Sequence, residues 1–183
     1  MNDKMRRAVK QAYEDYLKLR TDIQKTCTAL HKLHSPHTQC GKGCSSCCMD
    51  FGLLPVEFHF IVEQIKNKKT TVNPETEKGQ CIFLVNNECT IYEHRPIICR
   101  SHGLPILFID EEGENYNLSF CPLNFNKVND NYFSFENSYH QDTFNSKLYM
   151  INKAFIEAYT EHRYQSSQLV PIHCMQKILI VKD

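Results

Sequence analysis

The sequence predicts an α+β fold: a small cysteine-rich core with short hairpins, framed by long N- and C-terminal helices that pack together. Three observations predict it. Apolar residues recur at alternating spacings of four and three near both ends of the chain, the period of a helix seam. Between those seams lie short runs rich in β-branched and aromatic residues, set off by Asn, Gly and Pro. Ten of the 183 residues are cysteine, and eight of them fall between positions 40 and 121. The length suits one domain, residues 1–183, divided into an N-terminal helix at 5–33, a cysteine-rich core at 38–123, a C-terminal helix at 138–162 and a tail at 163–183.

The first helix rests on Met5, Val9, Ala12, Tyr16, Leu19, Ile23, Thr26, Leu30 and Leu33, an a/d seam with Lys, Arg, Asp, Glu and Gln on the other faces. No Gly or Pro interrupts the span, and Pro36 ends it. Residues 40–54 form a Cys/Gly/Ser loop. A shorter helix follows at 55–67, with Pro55 in its first turn and Phe58, Ile61, Val62 and Ile65 on one face. Lys68 to Gly79 is polar and holds Pro74, so it is a loop. Cys81 to Val85 and Cys89 to Tyr92 alternate like strands about an Asn86-Asn87 turn. A second hairpin joins 104–109 to 116–120 across an acidic turn. Residues 124–137 carry Asn and aromatics without a period and are taken as a packed loop. The last helix has Phe144, Leu148, Ile151, Phe155, Ala158 and His162 as its seam, capped by Ser138 or by Asp142. Lys177 to Lys182 is taken as a final strand. The two seams should find each other at a small crossing angle, the alternative being a homodimer or a protein partner seated on the longer seam.

Composition excludes several classes. With 21 basic and 21 acidic residues, no global field favours nucleic acid or an anionic membrane. Hydrophobic content of 42% argues against disorder, and no apolar run is long enough to span a bilayer. The N-terminus lacks the apolar run of a signal peptide, which points to the cytoplasm, where thiols stay reduced. A thiol-rich cytoplasmic domain that has no need of disulfides implies metal or redox chemistry.

Cys40, Cys44, Cys47 and Cys48 lie within nine residues, with Gly41 and Gly43 freeing the backbone to wrap a site. In a Cys-x-x-Cys turn two sulfurs converge on one metal while main-chain N–H groups point at them. Neighbouring side chains in an extended segment point apart, so Cys47 and Cys48 are candidates for two different sites. Cys81 and Cys89 begin the two arms of the first hairpin. Cys99 follows Arg95-Pro96, where proline starts a short helical turn, and Cys121 precedes Pro122 in extended backbone. Cys27 beside the helix seam and Cys174 in the apolar tail read as packing thiols.

The run from Cys40 to Cys48, the stretch Gly79-Gln80-Cys81-Ile82-Phe83-Leu84, and above all Ile91-Tyr92-Glu93-His94-Arg95-Pro96-Ile97-Ile98-Cys99-Arg100 resemble the CxxCxxCC family, a zinc- or iron-chelating domain (YkgJ-like). The resemblance covers residues 38 to 123. It implies that Cys40, Cys44, Cys47, Cys48, Cys81, Cys89, Cys99 and Cys121 are the metal-binding set. Cys40 and Cys44 are three residues apart, not the two of the family's name, and Cys121 matches by context alone.

Eight thiolates could close two four-ligand zinc sites or hold iron as an iron–sulfur cluster. Spacing does not choose, although Cys-x-x-Cys-Cys is closer to a cluster loop than to a zinc ribbon. Four thiolates around a divalent ion carry net negative charge, which Lys42, Arg95 and Arg100 are placed to offset. Tyr92 is expected beneath the site. Of the nearby histidines, His34 and His37 fit a helix C-terminus favoured by its dipole, and His102 is the best substitute ligand.

Function remains open among three classes. The first is a metal- or cluster-binding protein with a structural, storage or electron-transfer role, since no phosphate-binding glycine loop or hydrolase motif is present. The second is an S-adenosylmethionine-dependent protein-lysine methyltransferase, because the same cysteine domain resembles one found in flagellin lysine methylases. The third is a nucleic-acid-associated zinc module, which the neutral charge disfavours.

Overall fold

Helix α1, Asp3–His34, begins where Asn2 Oδ1 accepts the Met5 N–H at 2.9 Å and ends before the Ser35–His37 3-10 turn. A computed structural model describes the chain except residues 1, 42, 74, 75, 78 and 181–183. By their contacts the residues form two compact units. One comprises Met1–Leu17, Lys42–Pro96 and Leu148–Asp183; the other comprises Lys18–Gly41 and Ile97–Lys147. Each is described by itself.

The seam of α1 is buried at Val9, Ala12, Tyr16, Leu19 and Ile23 and then changes register. Beyond Ile23 the buried positions are Cys27, Leu30 and His34, whereas Leu33 is 55% exposed. Two successive spacings of four replace the strict heptad. A straight α-helix turns in 3.6 residues, not 3.5, so a seam on an unsupercoiled helix drifts until an extra step of four corrects it.

The first unit gathers around helix α2, Pro55–Ile65, which is buried on most of its surface. Its predicted face of Phe58, Ile61, Val62 and Ile65 joins Leu53, Ile82, Phe83, Ile91, Ile172 and Met175 in one cluster. Each such side chain contributes about 1.5–3 kcal/mol on burial. Strand β1, Gly52–Leu53, leads into α2, and β2, Leu84–Val85, pairs with β3, Glu88–Cys89, as a hairpin. Its turn places Asn86 at φ 51° and Asn87 at φ 60°, the doubly left-handed turn that the Asn-Asn pair predicts. The arms are shorter than expected because Cys81 to Leu84 is a turn, closed by the Leu84 N–H on the Cys81 carbonyl at 3.0 Å.

In this unit Tyr13 stacks on Phe155 at 5.6 Å, a contact between the two long helices. Tyr16 of the α1 seam meets α2. Tyr16 lies 4.9 Å from Phe60 and donates to Glu57 Oε1 at 2.7 Å.

The second unit adds α3, Ile97–Ser101, and a three-stranded sheet: β4, Ile106–Ile109, lies between antiparallel β5, Tyr116–Ser119, and parallel β6, Tyr139–His140. The hairpin matches expectation; the third strand does not, and it occupies the residues read as the start of the last helix. That helix, α4, runs Gln141–Ala158. Neither predicted cap serves it: Ser138 Oγ donates to the Ser134 carbonyl and Asp142 Oδ2 accepts the Ile109 N–H. Residues 124–137 are packed as expected. Phe125, Tyr132 and Phe133 nest together with Phe120.

In the first unit Gly52–Leu53 also pairs with β7, Val170–Pro171. The predicted strand from Lys177 is instead part of helix α5, Met175–Ile180, with 181–183 outside the described residues. Met175 is fully buried and Leu179 packs on the same cluster, so the apolar spacing there is four, a helical period, and not two. Among the described residues no helix is long and apolar enough to cross a membrane.

Candidate metal centre

No two of the ten cysteines form a disulfide. In the first unit the loop from Cys44 to Asp50 is held by its own turns and by the segment at 79–81. The Cys48 N–H donates to the Ser45 carbonyl at 2.9 Å and the Met49 N–H to the Cys47 carbonyl at 3.0 Å. The Cys81 N–H donates to the Cys48 carbonyl at 3.2 Å, Met49 bridges Gln80, and the Asp50 N–H donates to the Gly79 carbonyl at 2.8 Å. Ser45 Oγ donates to Asn87 Oδ1 at 3.1 Å, tying the loop to the hairpin turn.

These ties bring Cys48 within electrostatic reach of Cys47, Cys81 and Cys89, and Cys81 within reach of Cys89. The Cys48 thiol is hydrogen-bonded to Cys47, and that bond, burial and the surrounding sulfurs hold it well above the ordinary thiol range. Because the segment is a tight turn and not a strand, the adjacent side chains face each other, against the expectation that they diverge. Burial pushes the Cys81 thiol up to about 11, with Cys89 and Asp50 adding to the rise, against a hydrogen bond from the Phe83 main chain. Cys89 is raised by burial and lowered by the Ile91 main-chain N–H and by Arg95. In both cases the N–H two residues beyond the cysteine favours thiolate, the pattern a metal-binding turn requires. Cys44 stands on the same loop with its sulfur 3.8 Å from Ser46 Oγ.

Of the predicted counter-charges, Arg95 acts on Cys89. Its Nη1 donates to the Tyr92 carbonyl at 2.9 Å and its guanidinium lies 3.8 Å from the Tyr92 ring centroid. Tyr92 is 57% exposed, so it does not lie beneath a site as expected; its ring serves the arginine. Arg100 is buried with its Nη1 on Gln24 Oε1, and Lys42 lies outside the described residues.

The second unit carries Cys40, Cys99 and Cys121. Asn124, which the sequence does not single out among several asparagines, organises them. Its Nδ2 donates to Cys40 Sγ at 3.2 Å and to the Gly103 carbonyl at 2.7 Å. Its Oδ1 accepts the Gln39 N–H and its own N–H donates to the Cys121 carbonyl at 2.9 Å. Gly103 follows α3, the helix that presents Cys99 after Pro96 as predicted. It adopts φ +88°, and a Cβ there would stand 2.6 Å from Cys40 Sγ. Only glycine supplies that approach.

The histidines have other partners. His34 is fully buried, its Nε2 donating to the Asn137 carbonyl at 2.7 Å, which leaves Nδ1 to accept from Tyr132 Oη at 2.8 Å. His37 packs on the same tyrosine ring. His94 Nε2 accepts from Lys68 and His102 Nδ1 donates to the Ile98 carbonyl. Among the described residues no three His, Cys, Asp or Glu side chains stand in metal-ligating geometry.

Residues 39–122 match the model of the CxxCxxCC family, described as a putative zinc- or iron-chelating domain. The match takes in all eight cysteines from 40 to 121. No curated protein and no solved structure gives a significant match to the chain.

Proposed function

We propose that this chain is a metal-binding protein that holds iron, as an iron–sulfur cluster, through thiolates drawn from Cys40, Cys44, Cys47, Cys48, Cys81, Cys89, Cys99 and Cys121. Of these, Cys47, Cys48, Cys81 and Cys89, which lie in one unit without standing in ligating geometry, would supply one four-ligand set. The observation that carries the reading is their assembly in one unit, with main-chain N–H groups from Phe83 and Ile91 directed at two of the sulfurs. Soft thiolates suit both iron and zinc. The preference for a cluster rests on the Cys-x-x-Cys-Cys spacing, closer to a cluster loop than to a zinc ribbon, while the facing Cys47 and Cys48 thiols suit a single centre of either metal. A cluster bound there would supply electron transfer or a rigid structural node. The chain's own residues screen the thiolates: Arg95 offsets charge at Cys89, and the Cys48 carbonyl to Cys81 N–H bond sets the distance between loop and hairpin.

Anaerobic purification followed by iron, zinc and acid-labile sulfide analysis tests the proposal. Brown protein with sulfide matching iron supports a cluster, and Cys48→Ser should lose most of the metal while Cys27→Ser keeps it. Colourless protein with stoichiometric zinc overturns the cluster, and metal-free protein that folds normally in reductant overturns the ligand set.

A further inference from the structure

Cys174 was expected to be a packing thiol in an apolar tail. It does pack, partly buried, against the core cluster, and at the end of the Ile172–Cys174 turn it also stands beside a histidine and a carboxylate. Cys174 Sγ lies 3.7 Å from His173 Nε2. The other ring nitrogen, Nδ1, lies 2.5 Å from Asp50 Oδ2, and Asp50 Oδ1 accepts the His173 main-chain N–H at 2.9 Å. One carboxylate therefore clamps both the backbone and the ring of His173. With Nδ1–H directed at Asp50, Nε2 presents its lone pair to the sulfur. Nucleophile, base and orienting group stand in the order that thiol catalysis uses, at the looser sulfur–nitrogen distance common without a bound reactant. The His173 side chain is 51% exposed, so a small molecule can reach the pair.

We propose that Cys174 is a reactive thiol that exchanges with low-molecular-weight disulfides. The Cys174 S–H proton passes to His173 Nε2, and the imidazolium is held against Asp50. The thiolate attacks one sulfur of the disulfide, the S–S bond breaks, and the departing thiolate takes the proton from His173. The products are a mixed disulfide on Cys174 and one free small thiol, with no net change in oxidation state. His173 touches the reacting atom; Asp50 acts through it as a positioning residue. The inference does not rest on the metal reading.

The test uses full-length protein as purified, with glutathione disulfide as probe, acid quenching and peptide-resolved mass spectrometry. Tryptic peptide 164–177 contains Cys174 as its single cysteine, and peptide 26–32 contains Cys27 as an internal buried standard. Wild-type Cys174 should form the mixed disulfide about tenfold or more faster than in His173→Gln, since a thiol without a base is only a few per cent thiolate at neutral pH. Asp50→Asn should fall between the two; because Asp50 also stands on the cysteine loop, its rate is read on samples whose metal content and thermal midpoint are measured. Equal rates in wild type and His173→Gln overturn the proposal, as does an Asp50→Asn rate equal to wild type. Metal content measured on the same samples separates this failure from failure of the ligand set.

Discussion

Replacing Asn152 should destabilise the first unit far more than an ordinary polar-to-apolar change in a helix. Asn152 is fully buried on α4, and its Oδ1 accepts the Val56 N–H at 3.0 Å while its Nδ2 donates to the Ser166 carbonyl at 3.3 Å. Val56 lies in the first turn of α2, where N–H groups lack intrahelical partners, and no local side chain caps that end. Leaving a buried N–H unsatisfied costs about 1–3 kcal/mol, and the second, longer bond is worth about 1 kcal/mol. Asn152→Leu keeps the branched shape and removes both hydrogen bonds, so we expect a loss of about 2–4 kcal/mol. In a chain of this length that lowers the thermal midpoint by about 5–10 °C. Asn152→Asp retains the acceptor but buries a charge and turns an oxygen toward the Ser166 carbonyl, so it should lose at least as much at neutral pH despite the favourable helix N-terminus. Urea unfolding followed by far-ultraviolet circular dichroism reads the energies, and faster deuterium exchange at the Val56 amide locates them. If Asn152→Leu lies within about 0.5 kcal/mol of wild type, the cap contributes nothing and the reasoning fails.

Gly103→Ala should cost about 1–3 kcal/mol, from a left-handed backbone combined with a Cβ against Cys40 Sγ. Unfolding experiments on the reduced protein measure it, and a neutral substitution would show that residue 103 does not press on Cys40. Burial lowers the His59 pKa from 6.5 to about 4, with Glu161 opposing, His162 adding to the fall and Glu63 opposing. The unfolded chain therefore binds more protons than the folded one between those values, so stability is complete above pH 6.5 and is lost as pH falls toward 4. His59→Gln should lack this slope when unfolding is compared at pH 7 and pH 5 with matched metal content; parallel pH dependence of the two proteins would refute it.

Much of the fold was legible because local chemistry and tertiary environment agree. Pro55 started α2 and Pro36 followed the end of α1, Asn86-Asn87 made the left-handed turn, and Pro96 introduced the helix that presents Cys99. Errors arose where environment overrode local pattern. Thr26 and Leu33 fit a heptad, but Cys27 and His34 take the buried places because the helix is not supercoiled. Ser138 and Asp142 are good caps in isolation, yet β6 precedes the helix and their oxygens serve other backbone groups. The ligand candidates were legible as spacing. Asn124, Gly103 and Asn152 were not, because a lone asparagine or glycine carries no period and is explained only by a partner far along the chain.

By itself the sequence determined the thiol inventory, its spacing, the match of residues 39–122 to a chelating-domain model and most helices and turns, since these depend on residues within a few positions of each other. Tertiary structure alone decided which thiols share a unit, that Cys47 and Cys48 face one another, and that Asp50 reaches His173 beside Cys174. The physical reason is range. Propensity and chelate spacing act over single turns, whereas a carboxylate and an imidazole 123 residues apart meet only when burial of the intervening core brings their backbones together.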